Sequence, residues 1–234
     1  MMGTLLNIFT VLLGGGLGAV FGARLPERVR QTVMNGLGLF TLALGLQMTL
    51  KSGNMLIVLG SVLLGGIVGE WWRIDDRLNQ LGAWLEAKSG SRGESGSNRF
   101  IKGFVTASLV FCVGPMTILG SIQDGLTGKF ELLALKSVLD GFAALAFASS
   151  LGVGVLFSAL TIGVFQGALT LLAAQAQTVL TPPVIAEMTA TGGVLIMGIA
   201  FSSLLELKQI RVGNFLPALL AAPAIVLLVQ AFGR

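Results

Sequence analysis

Apolar residues fill long windows of this chain, and polar residues arrive between them in short bursts. The windows fall at about 5–21, 33–50, 55–71, 104–122, 132–148, 153–174, 188–205 and 215–232. Each is long enough to cross about 30 Å of hydrocarbon as a helix, which takes roughly 17 to 25 residues. The pattern therefore predicts an all-α bundle of about eight membrane spans. One stretch reads differently. In "IDDRLNQLGAWLEA" the apolar positions Ile74, Leu78, Leu81 and Leu85 return at helical spacing on one face, and "KSGSRGESGSN" follows as a flexible linker. That helix reads either as a partner site or as a short amphipathic helix on the cytoplasmic interface, with Trp71, Trp72 and Trp84 as anchors.

The split between the fifth and sixth windows rests on length, because no charged loop separates them. From Leu132 to Ala176 one unbroken helix would be about 68 Å long at 1.5 Å per residue, twice what a bilayer holds. The run is expected to cross twice, turning near Ser149, Ser150, Leu151 and Gly152. Charge supports this count. With eight spans and an outside N-terminus, Arg24, Arg28, Arg30, Arg73, Arg77, Lys88, Arg92, Arg99, Lys102, Lys208 and Arg211 lie inside. Only Lys51, Lys129 and Arg234 lie outside, so the positive-inside rule favours both termini outside. The first window has its arginines after the apolar run and no basic residues before it, so it reads as a retained helix and not as a cleaved signal.

Composition agrees. Of 234 residues, 54% are hydrophobic and 11% charged, and the mean hydropathy is +0.87, the profile of an integral membrane protein whose main partner is the lipid bilayer. The 33 glycines suit close helix approach and make a homo-oligomer an expectation. A single cysteine, Cys112, permits no internal disulfide, and without histidine the usual zinc, haem and copper ligand sets cannot form, so no cofactor is expected and the identity of any metal stays open. The basic balance, pI about 9.7, belongs to cytoplasmic loops and not to nucleic-acid binding.

Two parts of the chain resemble each other. "LPERVRQTVMNGLGLFTLALG" aligns with "TPPVIAEMTATGGVLIMGIAF", pairing Pro26 with Pro182 and Gly36 with Gly192. "KSGNMLIVLGS" aligns with "RVGNFLPALLA", pairing Lys51, Gly53, Asn54 and Leu56 with Arg211, Gly213, Asn214 and Leu216. Upstream, Asn7 and Gln166 are lone amides in apolar helices. An odd number of crossings separates the copies, so they would insert with opposite orientation, the inverted repeat that builds many transporters. The expected division is repeat A over 1–72, the amphipathic helix and linker over 73–99, central spans over 100–150, and repeat B over 151–234.

The fourth window holds "CVGPMTILGSIQDG". Pro115 removes an N–H and clashes with the preceding turn, so a break at Gly114 should free carbonyls near Phe111 and Cys112. In hydrocarbon, such groups must face protein or a wet cavity. Thr117, Ser121, Gln123 and Asp124 supply oxygens beyond the break, and Thr106 and Ser108 precede it. The alternative is a proline kink used for packing. In "LLALKSVLDGF", Lys136 and Asp140 stand four apart and can pair, beside Ser137. Buried charges of this kind normally face a bundle interior, although Lys136 could snorkel outward. Glu187 follows Pro182 and Pro183, where a carboxylate suits a helix N-terminus, and Asn54 and Asn214 suit N-caps. Adjacent Lys136 and Ser137 diverge by about 100° on a helix and make no catalytic dyad, and no phosphate loop is present, so an enzyme is not expected.

"GFVTASLVFCVGPMTILGSIQDGL", "ALKSVLDGF", "GVGVLFSAL", "FQGALTLLA", "RVGNFLPALL" and "GTLLN" together resemble the YqgA-like family of bacterial inner-membrane proteins, across essentially the whole chain. The resemblance implies a multi-pass inner-membrane protein of a domain of unknown function, sometimes labelled a transport protein, and carries no substrate.

These observations point to a transporter or channel for a small ion or solute, by preference a monovalent cation, with a pathway lined by the fourth and fifth spans. Asp124 and Asp140 would supply negative charge and Lys136 would tune it. Thr106, Ser108, Cys112, Gly114, Pro115, Thr117, Ser121, Gln123, Ser137, Asn7, Gln166 and Glu187 would add neutral or peripheral contacts. The competing expectation is a scaffold or assembly factor whose polar residues only lock helices together.

Overall fold

The computed structural model describes residues 1–22, 24, 26–89 and 96–232. Arg92, Arg234, the middle of the linker, and the side chains of Leu85 and Lys88 lie outside the described residues. The helices are α1 (Met2–Gly22), α2 (Glu27–Thr49), α3 (Met55–Trp72), α4 (Ile74–Ser89), α5 (Gly96–Cys112), α6 (Pro115–Thr127), α7 (Glu131–Leu151), α8 (Ser158–Leu171), α9 (Ala173–Val179), α10 (Pro182–Ile199) and α11 (Ala218–Phe232). Short 3-10 segments stand at Gly152–Phe157 and Val212–Phe215, and a π-helical turn extends α10 over Ala200–Leu204. No strand occurs among the described residues, so the chain is all-helical as expected.

Length and apolarity single out five runs able to cross a membrane, Met2–Gly22, Met55–Trp72, Glu131–Leu171, Pro182–Leu204 and Val212–Phe232. A sixth is the pair Arg99–Cys112 and Pro115–Thr127, bent by 61°. Two features account for the difference from eight. The helix α2 is diluted by Gln31, Asn35 and Gln47, and Glu131–Leu171 passes as one run of 41 residues.

The chain forms two compact units, Met1–Leu37 with Leu78–Ala174, and Gly38–Arg77 with Gln175–Arg234. In the first unit, α1 fixes the directions of its neighbours. Gly3, Gly14, Gly18 and Gly22 meet Leu133, Gly141, Leu145 and Ser149 in ascending order, so α1 and α7 run parallel. Asn7 meets Gln166 and Gly15 meets Leu156, so α1 and α8 run antiparallel. The run Glu131–Leu171 therefore doubles back through the 3-10 segment, where Gly152 has φ of 78°, a conformation that glycine adopts without strain. Gly154 lets that turn lie on the Phe100 carbonyl of α5.

The contact between α1 and α7 is built by absent side chains. A Cβ on Gly14, Gly18 or Gly22 would fall on the carbonyl oxygen of Gly141, Leu145 or Ser149. Small residues bring backbones together where dispersion contacts replace the missing hydrophobic drive.

In the second unit, Gly45 meets Gly193 and Gly38 meets Leu205, so α2 and α10 are antiparallel. Gly65 and Gly69 admit the backbone of Ala218 and Asn214, and Gly60 faces Ile225, so α3 and α11 are antiparallel too. Ile57, Val184 and Val226 form the unit's buried cluster. The helix expected after Trp72 forms as α4, with Leu81 and Trp84 exposed, as are Trp71 and Trp72.

Nothing lies within 4 Å of a Cβ added at Gly16, in the same helix turn as Gly14. Gly16→Ala should therefore hold or raise the melting temperature in detergent, since alanine gains up to about 1 kcal/mol of helix propensity. Gly18→Ala should lower it by several degrees, because its methyl group has no room against the Leu145 carbonyl.

Candidate functional site

The polar centre of the first unit joins three helices. On α7, the Lys136 ammonium pairs with the Asp140 carboxylate one turn later; the two residues are 5% and 8% exposed. From α1, the Asn7 amide Nδ2 donates to Asp140 Oδ2 at 3.0 Å and to Gln166 Oε1 on α8 at 3.0 Å. Gln166 Nε2 donates to the Thr4 hydroxyl at 3.3 Å, and Thr4 and Thr170 hydroxyls meet at 3.4 Å. The Thr170 hydroxyl also donates to the Gln166 carbonyl, 2.9 Å away.

One atom of this network is left over. Asn7 uses its amide nitrogen twice, and its carbonyl oxygen Oδ1 is buried without a partner. Leaving a buried acceptor unpaired costs about 1–3 kcal/mol. Ser121 Oγ on α6 is likewise buried and unpartnered. Asn7 is fully buried, so what could satisfy its oxygen is a donor or a cation that enters the bundle.

The break in the fourth span is real, and its chemistry differs from the expectation. The helix stops at Cys112 and restarts at Pro115, with Gly114 extended (φ −71°, ψ 148°). The freed Phe111 carbonyl finds a partner in the chain itself: the Thr117 hydroxyl donates to it at 2.9 Å, closing the break from within the same segment. A threonine two residues past the proline can reach back in this way. Cys112 lies beside the break, buried, within electrostatic reach of both Lys136 and Asp140, which brings the end of α5 to the charge pair.

Asp124, at the end of α6, is also buried, but its partners belong to the start of α1. It accepts from the Gly3 N–H at 3.1 Å and from the Met1 ammonium at 2.9 Å. A carboxylate at a helix N-terminus answers unpaired N–H groups and the positive end of the dipole. Ser137 donates to the Leu133 carbonyl, Ser108 pairs with Thr161 at 2.9 Å, Thr106 is buried, and Gln123 is half-buried. Among these residues, Asn7, Lys136, Asp140 and Gln166 share one network, with Cys112 beside it.

Glu187 makes its contacts in the second unit, and it caps a helix other than its own. Its carboxylate accepts from the Gly53 and Asn54 N–H groups at 2.8 and 2.9 Å and from the Ser52 hydroxyl at 2.7 Å, at the start of α3. Asn54 is the N-cap expected for α3, accepting from the Leu56 N–H at 3.1 Å. Asn214 departs from the expectation: it caps no helix following it, and its Oδ1 accepts from the Asp75 N–H in the first turn of α4. Asp75 in turn accepts from the Gly213 N–H at 3.0 Å, and Asn214 Nδ2 and Arg211 reach the Glu70 carboxylate.

The sequence reading passed over Thr4, Thr170, Gly3 and Ser52. Thr4 stands three residues before Asn7 and Thr170 four after Gln166, so each apolar helix carries a two-residue polar stripe that spacing alone could have revealed. Among the described residues no three Cys, Asp or Glu side chains converge, so a cation here would meet one carboxylate and neutral oxygens.

A family model described as "Protein of unknown function (DUF554)" matches residues 2–227. The chain belongs to the DUF554 family. It is 34% identical to the "Uncharacterized protein YqgA" of Escherichia coli (strain K12), over 94% of this chain and 94% of that one. It is 27% identical to the "Uncharacterized membrane protein YdfK" of Bacillus subtilis (strain 168), over 100% of this chain and 99% of that one. No solved structure matches. With its apolar helices, this DUF554 chain is a multi-pass membrane protein.

The Glu187 contacts give a graded test of the second unit. Glu187→Ala takes the acceptor from the Gly53 N–H and the Ser52 hydroxyl, while the Asn54 N–H keeps Ser52 Oγ at 3.1 Å, and should cost about 2–3 kcal/mol. Glu187→Gln keeps an oxygen for the two N–H groups, loses charge assistance and puts a donor-only NH2 against the Ser52 hydroxyl, and should cost about 1 kcal/mol. Thermal unfolding of the two variants in detergent checks the order.

Proposed function

We propose that this DUF554 protein moves a small monovalent cation across the bacterial plasma membrane, as a channel or carrier, through the polar centre of its first unit. The observation that carries this reading is the buried network on Asp140, with an unpaired Asn7 oxygen on the same amide that holds the carboxylate. A carboxylate inside a bundle is expensive and normally works where it lies. A single acid among neutral oxygens suits one positive charge better than two.

Asp140 is the proposed ion-binding carboxylate, and Asn7 and Gln166 supply neutral contacts. Asp124 anchors α1 beside the pathway. The bent pair α5 and α6 lines one side, since Phe111 of α5 packs its ring on Phe147 of α7 and Asp124 of α6 holds the start of α1.

Eight crossings and an inverted repeat belong to this proposal. The doubling back of Glu131–Leu171 supports the higher count. Asn7 and Gln166, the lone amides of the first and sixth windows upstream of the aligned segments, touch each other between antiparallel helices, as a two-fold axis between α1 and α8 would bring them. The two "GN" motifs are also used alike: Gly53 gives its N–H to the Glu187 carboxylate and Gly213 gives its own to Asp75. Outside termini fit the first unit, where Arg24, Arg99 and Lys102 gather toward the Gly22 end and Lys129 stands toward the Met1 end.

The competing reading, a scaffold held together by polar locks, draws on Asp124 and Glu187, whose carboxylates cap neighbouring helices. Asp140→Asn separates the two. The variant is neutral and isosteric, and should keep the monodisperse elution of the parent while reducing ²²Na⁺ or ⁸⁶Rb⁺ uptake into proteoliposomes at least tenfold. Uptake equal to the parent's, or absent from both proteins, removes the transport reading; a folding defect with uptake per folded molecule unchanged favours the scaffold.

A further inference from the structure

Resting on the transport reading, we infer that the Lys136 ammonium is a tethered competitor for the transported cation: it occupies the Asp140 position in the structure described, and a monovalent ion must displace it to bind. Three observations carry this. The ammonium sits directly on Asp140, although it comes from the same helix and lies only five residues past the start of α7. The Asn7 oxygen that a bound ion would also use is unpartnered while the lysine is in place. The lysine has somewhere else to go, since its side chain can extend toward the near end of α7, where Glu131 is exposed.

Replacement of one positive charge by another keeps Asp140 neutralised at each step, which avoids leaving a bare carboxylate in hydrocarbon. A divalent ion would leave an uncompensated charge, so this exchange selects valence. The neutral oxygens of Asn7 and Gln166 flank the site without altering that arithmetic. The gate is thus an intramolecular cation whose effective concentration sets the apparent affinity of the external one.

The test uses proteoliposomes of the full chain with ²²Na⁺ and ⁸⁶Rb⁺ as probes. Lys136→Gln removes the competitor and should lower the half-saturating ion concentration at least tenfold, whereas Lys136→Arg keeps a cation on Asp140 and should leave it unchanged or raised. If Lys136→Gln leaves that concentration unchanged or raises it while Asp140→Asn abolishes uptake, the competitor is overturned and the transport reading stands. If Asp140→Asn leaves uptake intact, both fall. Because Lys136→Gln leaves a lone buried carboxylate, which disfavours folding, a second measurement uses the parent protein. A hydrophobic carbodiimide activates the Asp140 carboxyl as its O-acylisourea, and Lys136 Nζ, after giving up a proton, displaces the urea to form an amide, read by mass spectrometry as a peptide lighter by the elements of one water. Rising Na⁺ or Rb⁺ should suppress that cross-link, and Mg²⁺ at equal ionic strength should not; equal yield at all Na⁺ and Rb⁺ concentrations overturns the proposal.

Discussion

A peptide group in hydrocarbon has no water to fall back on, and this chain interrupts its helices repeatedly. At four of the interruptions a specific side chain takes the place of solvent. Thr117 closes the gap before Pro115, Asp124 meets the first turn of α1, and Glu187 meets the first turn of α3. Ser202 serves both ends of another interruption, donating to the Ile210 carbonyl and accepting from its N–H. The polar residues that look out of place in an apolar sequence are mostly there to permit turns and breaks.

Against that background the Asn7 oxygen differs from the other buried unpartnered atoms among the described residues, which are hydroxyls, because its own amide holds the Asp140 carboxylate. The neighbouring groups are satisfied with economy: one amide nitrogen serves two acceptors, and the Thr170 hydroxyl returns to its own helix. A network this well closed and yet open at one acceptor differs from a packing lock, in which nothing is gained by leaving an oxygen bare. It is this difference, together with the charge pair, that separates the polar centre of the first unit from the capping carboxylates elsewhere.

The sequence made the helical class and the break at Gly114 legible because both follow from local rules, apolar window length and the missing proline N–H. The pairing of Lys136 with Asp140 was legible for the same reason, since residues four apart on a helix are neighbours. What stayed hidden depended on packing. Glu187 looked like a cap for its own helix, but α10 starts five residues earlier at Pro182 and the carboxylate serves α3 instead, and Asn214 likewise serves α4, because nothing in local spacing says which helix end lies opposite. Thr117 looked like a ligand and is a cap, since a threonine near a proline can turn either way.

The reversal at Gly152 has a bearing on how the molecule is made. The helix α1 finds its closest neighbours in α7 and α8, more than a hundred residues downstream, and its own glycine ridge has nothing to grip until Gly141 and Leu145 arrive. During synthesis it must wait in the lipid as a solitary strand of the bundle while most of the chain is still being translated. Its assembly with the later hairpin is then a late, long-range event in biogenesis, and a truncated nascent chain would leave a narrow, ungripped ridge open to whatever small-residue helix drifts by.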